Sequence, residues 1–375
     1  MSAGFTYYID VVSSCNLRCP SCPQGNMRHV ENPSGFMDAE LLNAIIKKAV
    51  AEGHIATVGL FNWTEPFLHP HLARLIEVVN SHGVPCGLST NLNLPAPLHE
   101  IMKAEPVSII VSVSGFTQSV YGRTHRGGRI DLVKSRMVEL AKAREETGAK
   151  TEIILAYHRY LGNLDEECLM RSYAEELGFL FRPTWARLMP VEKIMAAARV
   201  DSHESGLTSE DNDLIQLLAL PLNETLEITR EQDTQSCTLR DSQMALNVRG
   251  DVALCCGFFE SREHVIGHYL SDSFEVLQQR KIAHHICGDC IRLGIPGYCW
   301  DTPAIDKVGI SNLTRYYAKT GVDFGAALTQ SVPTTDVLHI ASAWEELRSV
   351  LRNKYPWVAH VYRGLKRIWS PLTGQ

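Results

Sequence analysis

Cys15-Asn16-Leu17-Arg18-Cys19-Pro20-Ser21-Cys22 follows directly on the apolar, β-branched run Tyr8–Val12. Three cysteines at CxxxCxxC spacing are too few to close a tetrahedral zinc shell and too few to cap every iron of a four-iron cube. One iron is left open to a ligand the protein does not supply. A partial zinc site is the plain alternative, and the spacing gains meaning only from its place after a strand.

Working outward, short apolar runs alternate with helical stretches from Phe5 to about Met189. Strands are expected at Tyr8–Val12, Thr57–Phe61, Val84–Ser89, Val107–Val113, Thr151–Ala156 and Phe179–Thr184. Helices are expected at Leu41–Ala51, Leu72–Asn80, Leu132–Ala143 and Glu166–Leu177, where apolar residues recur at i, i+3, i+4. Strands alternating with helices make a parallel sheet whose functional loops gather at the carboxyl ends of the strands. Six such units fit a partial barrel and equally an open doubly wound sheet.

On the cysteine spacing and its position, the chain resembles the radical S-adenosylmethionine (SAM) superfamily. The resemblance implies an α/β fold, a partial (β/α)6 TIM-like barrel over residues 1–195. It also implies a [4Fe-4S] cluster held by Cys15, Cys19 and Cys22, whose open iron is chelated by the amino and carboxylate groups of SAM. An external one-electron donor such as flavodoxin or ferredoxin is implied with it. Asn62-Trp63-Thr64-Glu65-Pro66 looks like the family's Gly-Gly-Glu segment, which puts Glu65, with Thr64, at the amino group of SAM. Trp63 and Thr64 depart from the usual glycines. The residues alone also allow a helix N-cap by Thr64, with Glu65 near the positive end of the dipole. In Gly87-Leu88-Ser89-Thr90-Asn91 the family likeness puts Ser89 and Asn91 at the cofactor, although Ser-Thr-Asn is also ordinary turn chemistry. After the fourth strand it makes Ser114 and Arg126 carboxylate ligands, against an Arg126 that sits in a solvated turn. His158 follows the fifth strand and is the substrate-site candidate, while His125, His284 and His285 stand in polar surroundings.

Beyond a polar linker at 199–208 comes a second cysteine set: Cys237, Cys255-Cys256, Cys287-Gly288-Asp289-Cys290 and Cys299. Met244–Val248 and Val252–Leu254, joined by Arg249-Gly250-Asp251, read as a β-hairpin. A thiolate at each end of the hairpin and a distant CxxC pair can close four ligands around one centre, zinc being the alternative to iron. The pattern resembles the SPASM or shorter twitch extension of the same superfamily, over residues 208–305. This implies a second, auxiliary [4Fe-4S] cluster on Cys237, Cys255, Cys287 and Cys290. The further cysteines of a full SPASM set are missing, since position 296 is Pro. Cys256 and Cys299 are left as alternative ligands or as hydrogen-atom donors to a substrate radical, and Cys86 and Cys168 as small packed hydrophobes.

Within the twitch group the spacing looks most like that of an aminocyclitol dehydrogenase. The reading is therefore an oxidoreductase that dehydrogenates a carbohydrate-like or other small polar molecule. The alternatives are a cysteine-dependent epimerase, a peptide-modifying enzyme and a non-catalytic iron–sulfur protein. No leader-binding segment precedes the first strand, which weighs against the peptide option.

Composition agrees with an ordinary globular enzyme: 375 residues, 45% hydrophobic and 21% charged, with a formal net charge of −6 that offers no field for nucleic acid. Eleven cysteines without a signal peptide point to a reducing, cytoplasmic compartment. In the C-terminal extension, 306–375, Trp357, Val361, Tyr362, Leu365, Ile368 and Trp369 recur at helical spacing beside Arg363, Lys366 and Arg367. Such an amphipathic basic helix suits a peripheral contact with the inner membrane surface or with a protein, or packing on the barrel.

Overall fold

Phe5–Ile9 (β1) alternates as its sequence demands, with Tyr7 and Ile9 buried and Thr6 and Tyr8 half-buried. In the computed structural model, which describes residues 4–27, 34–198, 207–232, 237–259 and 262–319, five more strands pair in parallel, each with the one before. They are Ile55–Gly59 (β2), Cys86–Thr90 (β3), Ser108–Val113 (β4), Glu152–Arg159 (β5) and Leu180–Trp185 (β6). All six were expected, with ends displaced by up to three residues. The linker at 199–206 and the tail helix at 357–369 lie outside the described residues.

Helices follow the strands where the 3.6-residue pattern is strongest. Ala39–Glu52 buries Leu42, Ile45, Ile46 and Ala49 along one stripe; Asp38 caps its start, accepting from Leu41 N at 2.7 Å, and Gly53 ends it at φ +75°. Leu72–Ser81, Ile130–Thr147 and Leu164–Glu176 likewise bury apolar residues along one side, after β2, β4 and β5.

The hairpin forms as expected, from Gln243–Leu246 (β7) and Asp251–Ala253 (β8), and a third strand, Val265–His268 (β9), follows. It does not stand apart. Residues 243–246 pair in parallel with Thr6–Ile9, so β7 extends the barrel sheet past β1, while β8 and β9 add on antiparallel. Among the described residues the strands form one open sheet in the order β6-β5-β4-β3-β2-β1-β7-β8-β9, a partial (β/α)6 barrel with a three-stranded extension.

The sheet has two unlike faces. Tyr7, Ile9, Val58, Leu88, Ile109, Val111, Ile153, Leu155 and Tyr157 are fully buried under the helices. The inner face carries Thr6, Tyr8, Ser89, Ser112, His158 and Thr184, none of them buried. Strand register and alternation place these side chains on one surface. A row of small polar side chains there leaves room above the sheet, next to the loops at its carboxyl end. Among the described residues no helix is long and apolar enough to cross a membrane.

Candidate active site

The first cysteine loop leaves the carboxyl end of β1 and is held by its neighbours' polar atoms. Cys15 Sγ accepts from Leu17 N at 3.4 Å and from the Asn91 amide at 3.5 Å, and Cys22 Sγ lies 4.0 Å from the Trp63 carbonyl oxygen. Cys22 N donates to Cys19 O (3.1 Å) as the chain turns into the short helix Pro23–Asn26. Gly25 is obligatory in that turn: a Cβ on it would stand 2.1 Å from the Cys19 carbonyl oxygen. Burial pushes all three thiols up, Cys15 to about 11, Cys22 to about 12 and Cys19 well above its usual value with the other two thiols adding. Unmetallated, they are neutral.

Arg126 touches this loop through its backbone, its carbonyl accepting from Arg18 N at 2.9 Å. Its guanidinium turns to Glu210, 3.0 Å away. Asn91 is a bridge from β3, its amide donating to Cys15 Sγ and, at 2.9 Å, to Asn16 Oδ1. Ser89 lies lower on the inner face of β3.

Two buried carboxylates stand beside the loop. Glu65 Oε1 accepts from Thr90 Oγ1 at 2.7 Å and from Phe67 N at 3.1 Å, and Oε2 accepts from Asn91 N at 2.8 Å. The capping residue here is therefore Glu65, at the start of Pro66–Leu68, and not Thr64. Burial pushes its carboxyl up to about 7. The Thr64 hydroxyl is bonded to Asp10 Oδ1 at 2.5 Å instead. Asp10 went unnoticed in the sequence, although a lone carboxylate inside the run Tyr7–Val12 is itself a signal, since burying it requires donors.

At the mouth of β4 and β5, Ser114 is buried and its hydroxyl is shared with Thr124 Oγ1 and with His125 Nδ1. His125 is not in polar surroundings: it is buried, stacked on Tyr121 with ring centroids 4.6 Å apart, and 6.3 Å from the ring of His158. Burial holds both imidazoles neutral, taking His125 down to about 3 and His158 to about 4, with the Arg187 guanidinium lowering His158 further. Arg187 itself is paired with Asp301, which also accepts from Thr184 Oγ1 at 3.2 Å.

The second set gathers six thiols. Cys237 opens the helix Thr238–Ser242 that leads into β7, Cys255 and Cys256 follow β8, Cys287 and Cys290 stand one turn apart on His285–Arg292, and Cys299 ends Ile295–Tyr298. Burial raises each thiol, and so do its neighbours: Cys256, Cys290 and Cys237 act on Cys255, while Cys299 acts on both Cys256 and Cys290. Lys281 is fully buried among them, its Nζ donating to Gln243 O at 2.6 Å. Gln243 Oε1 in turn accepts from Cys256 Sγ at 2.6 Å. Burial takes the lysine down to about 8. Nothing in the sequence marked it.

Among the described residues no three His, Cys, Asp or Glu side chains converge on a single-ion site. Thiolates bound to separate irons of a cube stand further apart than the ligands of one ion. A soft, partly buried all-thiol donor set suits iron–sulfur clusters in both places.

Residues 9–167 match the sequence model of the radical SAM superfamily. Such enzymes use a [4Fe-4S] cluster with SAM and need a reductant. The tungsten-containing aldehyde ferredoxin oxidoreductase cofactor-modifying protein of Pyrococcus furiosus is 23% identical over 281 residues, covering 69% of this chain and 73% of that protein. SuiB of Streptococcus suis, bound to its precursor peptide SuiA, matches with TM-score 0.53 and 15% identity, covering 78% of this chain and 67% of SuiB. A tagged anSMEcpe with bound AdoMet matches with TM-score 0.50 and 16% identity, covering 88% and 99%. These likenesses are of fold.

Proposed function

We propose that the chain is a radical SAM oxidoreductase that removes two electrons and two hydrogens from a carbohydrate-like or other small polar substrate. The observation that carries the reading is the three-thiol loop at the end of β1, lodged against Asn91 and beside Glu65. Cys15, Cys19 and Cys22 would hold the SAM-binding cluster, and four of the six later thiols, Cys237, Cys255, Cys287 and Cys290, an auxiliary one. When bound, the first cluster with SAM supplies a radical that takes a substrate hydrogen atom, and the auxiliary cluster supplies an acceptor for the second electron.

The chain's own residues do the rest. Among the described residues Glu65 Oε2 accepts one hydrogen bond, from Asn91 N, and a carboxylate oxygen has a second lone pair for an ammonium. Above pH 7 this carboxylate is charged. Asn91, Ser89, Thr64, Ser114 and Arg126 are the remaining cofactor candidates, of which Ser114 has its hydroxyl committed to His125 and Thr124. The polar inner face, with Tyr8, Ser112 and Thr184, suits hydroxyl groups on the substrate. His158, neutral and on that face, is placed to take a proton. The reading implies a reducing, cytoplasmic setting with a small one-electron carrier.

One observation favours a redox-neutral second reading, epimerisation. Cys256 is a neighbour of Tyr8 on the inner face, where a thiol could return a hydrogen atom. Cys299 is close enough to Cys256 to raise its thiol. The test is anaerobic: the reduced, reconstituted protein should form 5′-deoxyadenosine from SAM, and Cys19→Ala should form none. With polyol substrates, a product two hydrogens lighter supports dehydrogenation, and solvent deuterium at carbon in an isomer supports epimerisation.

A further inference from the structure

We infer that Asp10 is the positioning residue that shapes the backbone meeting the ammonium of SAM. This rests on the proposed reading of the site.

Asp10 lies one residue past β1 and is 4% exposed. Its Oδ1 accepts from three successive backbone N–H groups, Asn62 at 2.8 Å, Trp63 at 3.1 Å and Thr64 at 3.1 Å, and from the Thr64 hydroxyl at 2.5 Å. Oδ2 takes a second bond from Trp63 N at 3.1 Å. Asp10 N donates to Leu246 O at 2.9 Å, so the carboxylate is anchored to β7 as well as to β1.

Consecutive N–H groups turned onto one anion make a backbone nest, a concavity that ordinarily receives an external anion. Here the chain fills it with its own carboxylate. With the N–H groups spoken for, the Trp63 carbonyl is left facing the first cysteine loop, 4.0 Å from Cys22 Sγ. Glu65 N, next in line, bonds back to Ser14 O at 3.1 Å, tying the segment to the same loop. The Trp63 carbonyl and the Glu65 carboxylate, two residues apart in the chain, would serve as acceptors for a substrate ammonium, whose three donors need separate partners.

Neither Trp63 nor Thr64 has a positive φ, so the segment needs no glycine and keeps its shape through its hydrogen bonds. Asp10 accepts five hydrogen bonds from four donors of this segment, and the Thr64 hydroxyl bond is one that a glycine could not make. The indole of Trp63 fixes the other side, Nε1 donating to Phe258 O at 3.1 Å.

Asp10→Asn keeps the volume and an oxygen at the Oδ1 position, but removes the negative charge from all of these bonds and turns an NH2 group toward Trp63 N. The measurement is the electron paramagnetic resonance spectrum of the reduced first cluster, titrated with SAM. In wild type the spectrum should shift on binding. In Asp10→Asn the dissociation constant read from that shift should rise about tenfold, and in Thr64→Val about threefold, as the loss of charge-assisted and single hydrogen bonds implies. Iron and sulfide content should stay as in wild type in both. Wild-type affinity in Asp10→Asn overturns the inference alone. If that variant does not fold, unchanged affinity in Thr64→Val does so. A wild-type spectrum that ignores SAM overturns the reading of the site and this inference with it.

Discussion

Around Cys15, Cys19 and Cys22 the deeply buried charges are two carboxylates, Asp10 and Glu65. Around Cys237, Cys255, Cys256, Cys287, Cys290 and Cys299 the deeply buried charge is the ammonium of Lys281. The first region offers three thiols on a loop at the mouth of a parallel sheet; the second offers six, on a hairpin and helices. Buried charge costs free energy wherever it is not compensated, so its sign indicates what each region is built to receive. Carboxylates beside three thiols suit an incoming cation and an open coordination position. A cation among six thiols suits a centre whose thiolates are all supplied by the chain.

The sharpest way to break this contrast is at Cys19. Cys19→Ala should abolish 5′-deoxyadenosine formation altogether while leaving the second region's iron in place, as paired metal and product assays would show. Gly25→Ala comes next: its Cβ would meet the Cys19 carbonyl oxygen at 2.1 Å, and that backbone atom has to move. Most of the first region's iron should be lost, again without effect on the second.

Lys281→Met tests the other side. Removing the buried ammonium takes away both a desolvated charge and the compensation of the thiolates. The apoprotein should melt no lower than wild type. Iron should leave the second region roughly tenfold faster in a chelator challenge, as a modest loss of Coulomb attraction implies. Equal rates would remove Lys281 from the account.

The smallest effect concerns acid stability at the barrel mouth. His125 and His158 titrate near 3 and 4 in the fold and near 6.5 when unfolded. Between about pH 6.5 and 3 the unfolded chain therefore binds more protons, and stability falls as the pH drops through that window. Above it these histidines contribute no slope. In urea titrations at several pH values, His125→Phe should flatten the fall, and an unchanged slope would contradict the burial of a neutral imidazole.

Local pattern carried much of this architecture. Six strands and four helices were legible because apolar residues recur with period 2 or 3.6. The first strand was read three residues late, because Val11 and Val12 continue the apolar run after the ladder ends; both are buried, and Val12 bridges to Phe36. Pairing of residues 6–9 with 243–246 was not legible, since no local signal joins segments so far apart, and β9 is a four-residue strand with Gly267 inside it. The first cysteine loop stands out by its spacing together with its place after an apolar strand. Its supports do not: Thr64 reads as a cap until Asp10 is seen to claim it, and His125 reads as polar until Tyr121 is seen stacked upon it. Lys281 lies in the run Gln278-Gln279-Arg280-Lys281, which looks like an ordinary solvated helix end.

The central claim is that the two cysteine regions hold separate iron–sulfur clusters. It is tested most directly by iron and acid-labile sulfide in anaerobically reconstituted wild type and in a variant with Cys15, Cys19 and Cys22 all changed to Ala. Two four-iron clusters predict about eight irons in wild type and about four in the variant. A variant that holds no iron and retains zinc instead would contradict the claim, making the second region a structural metal site.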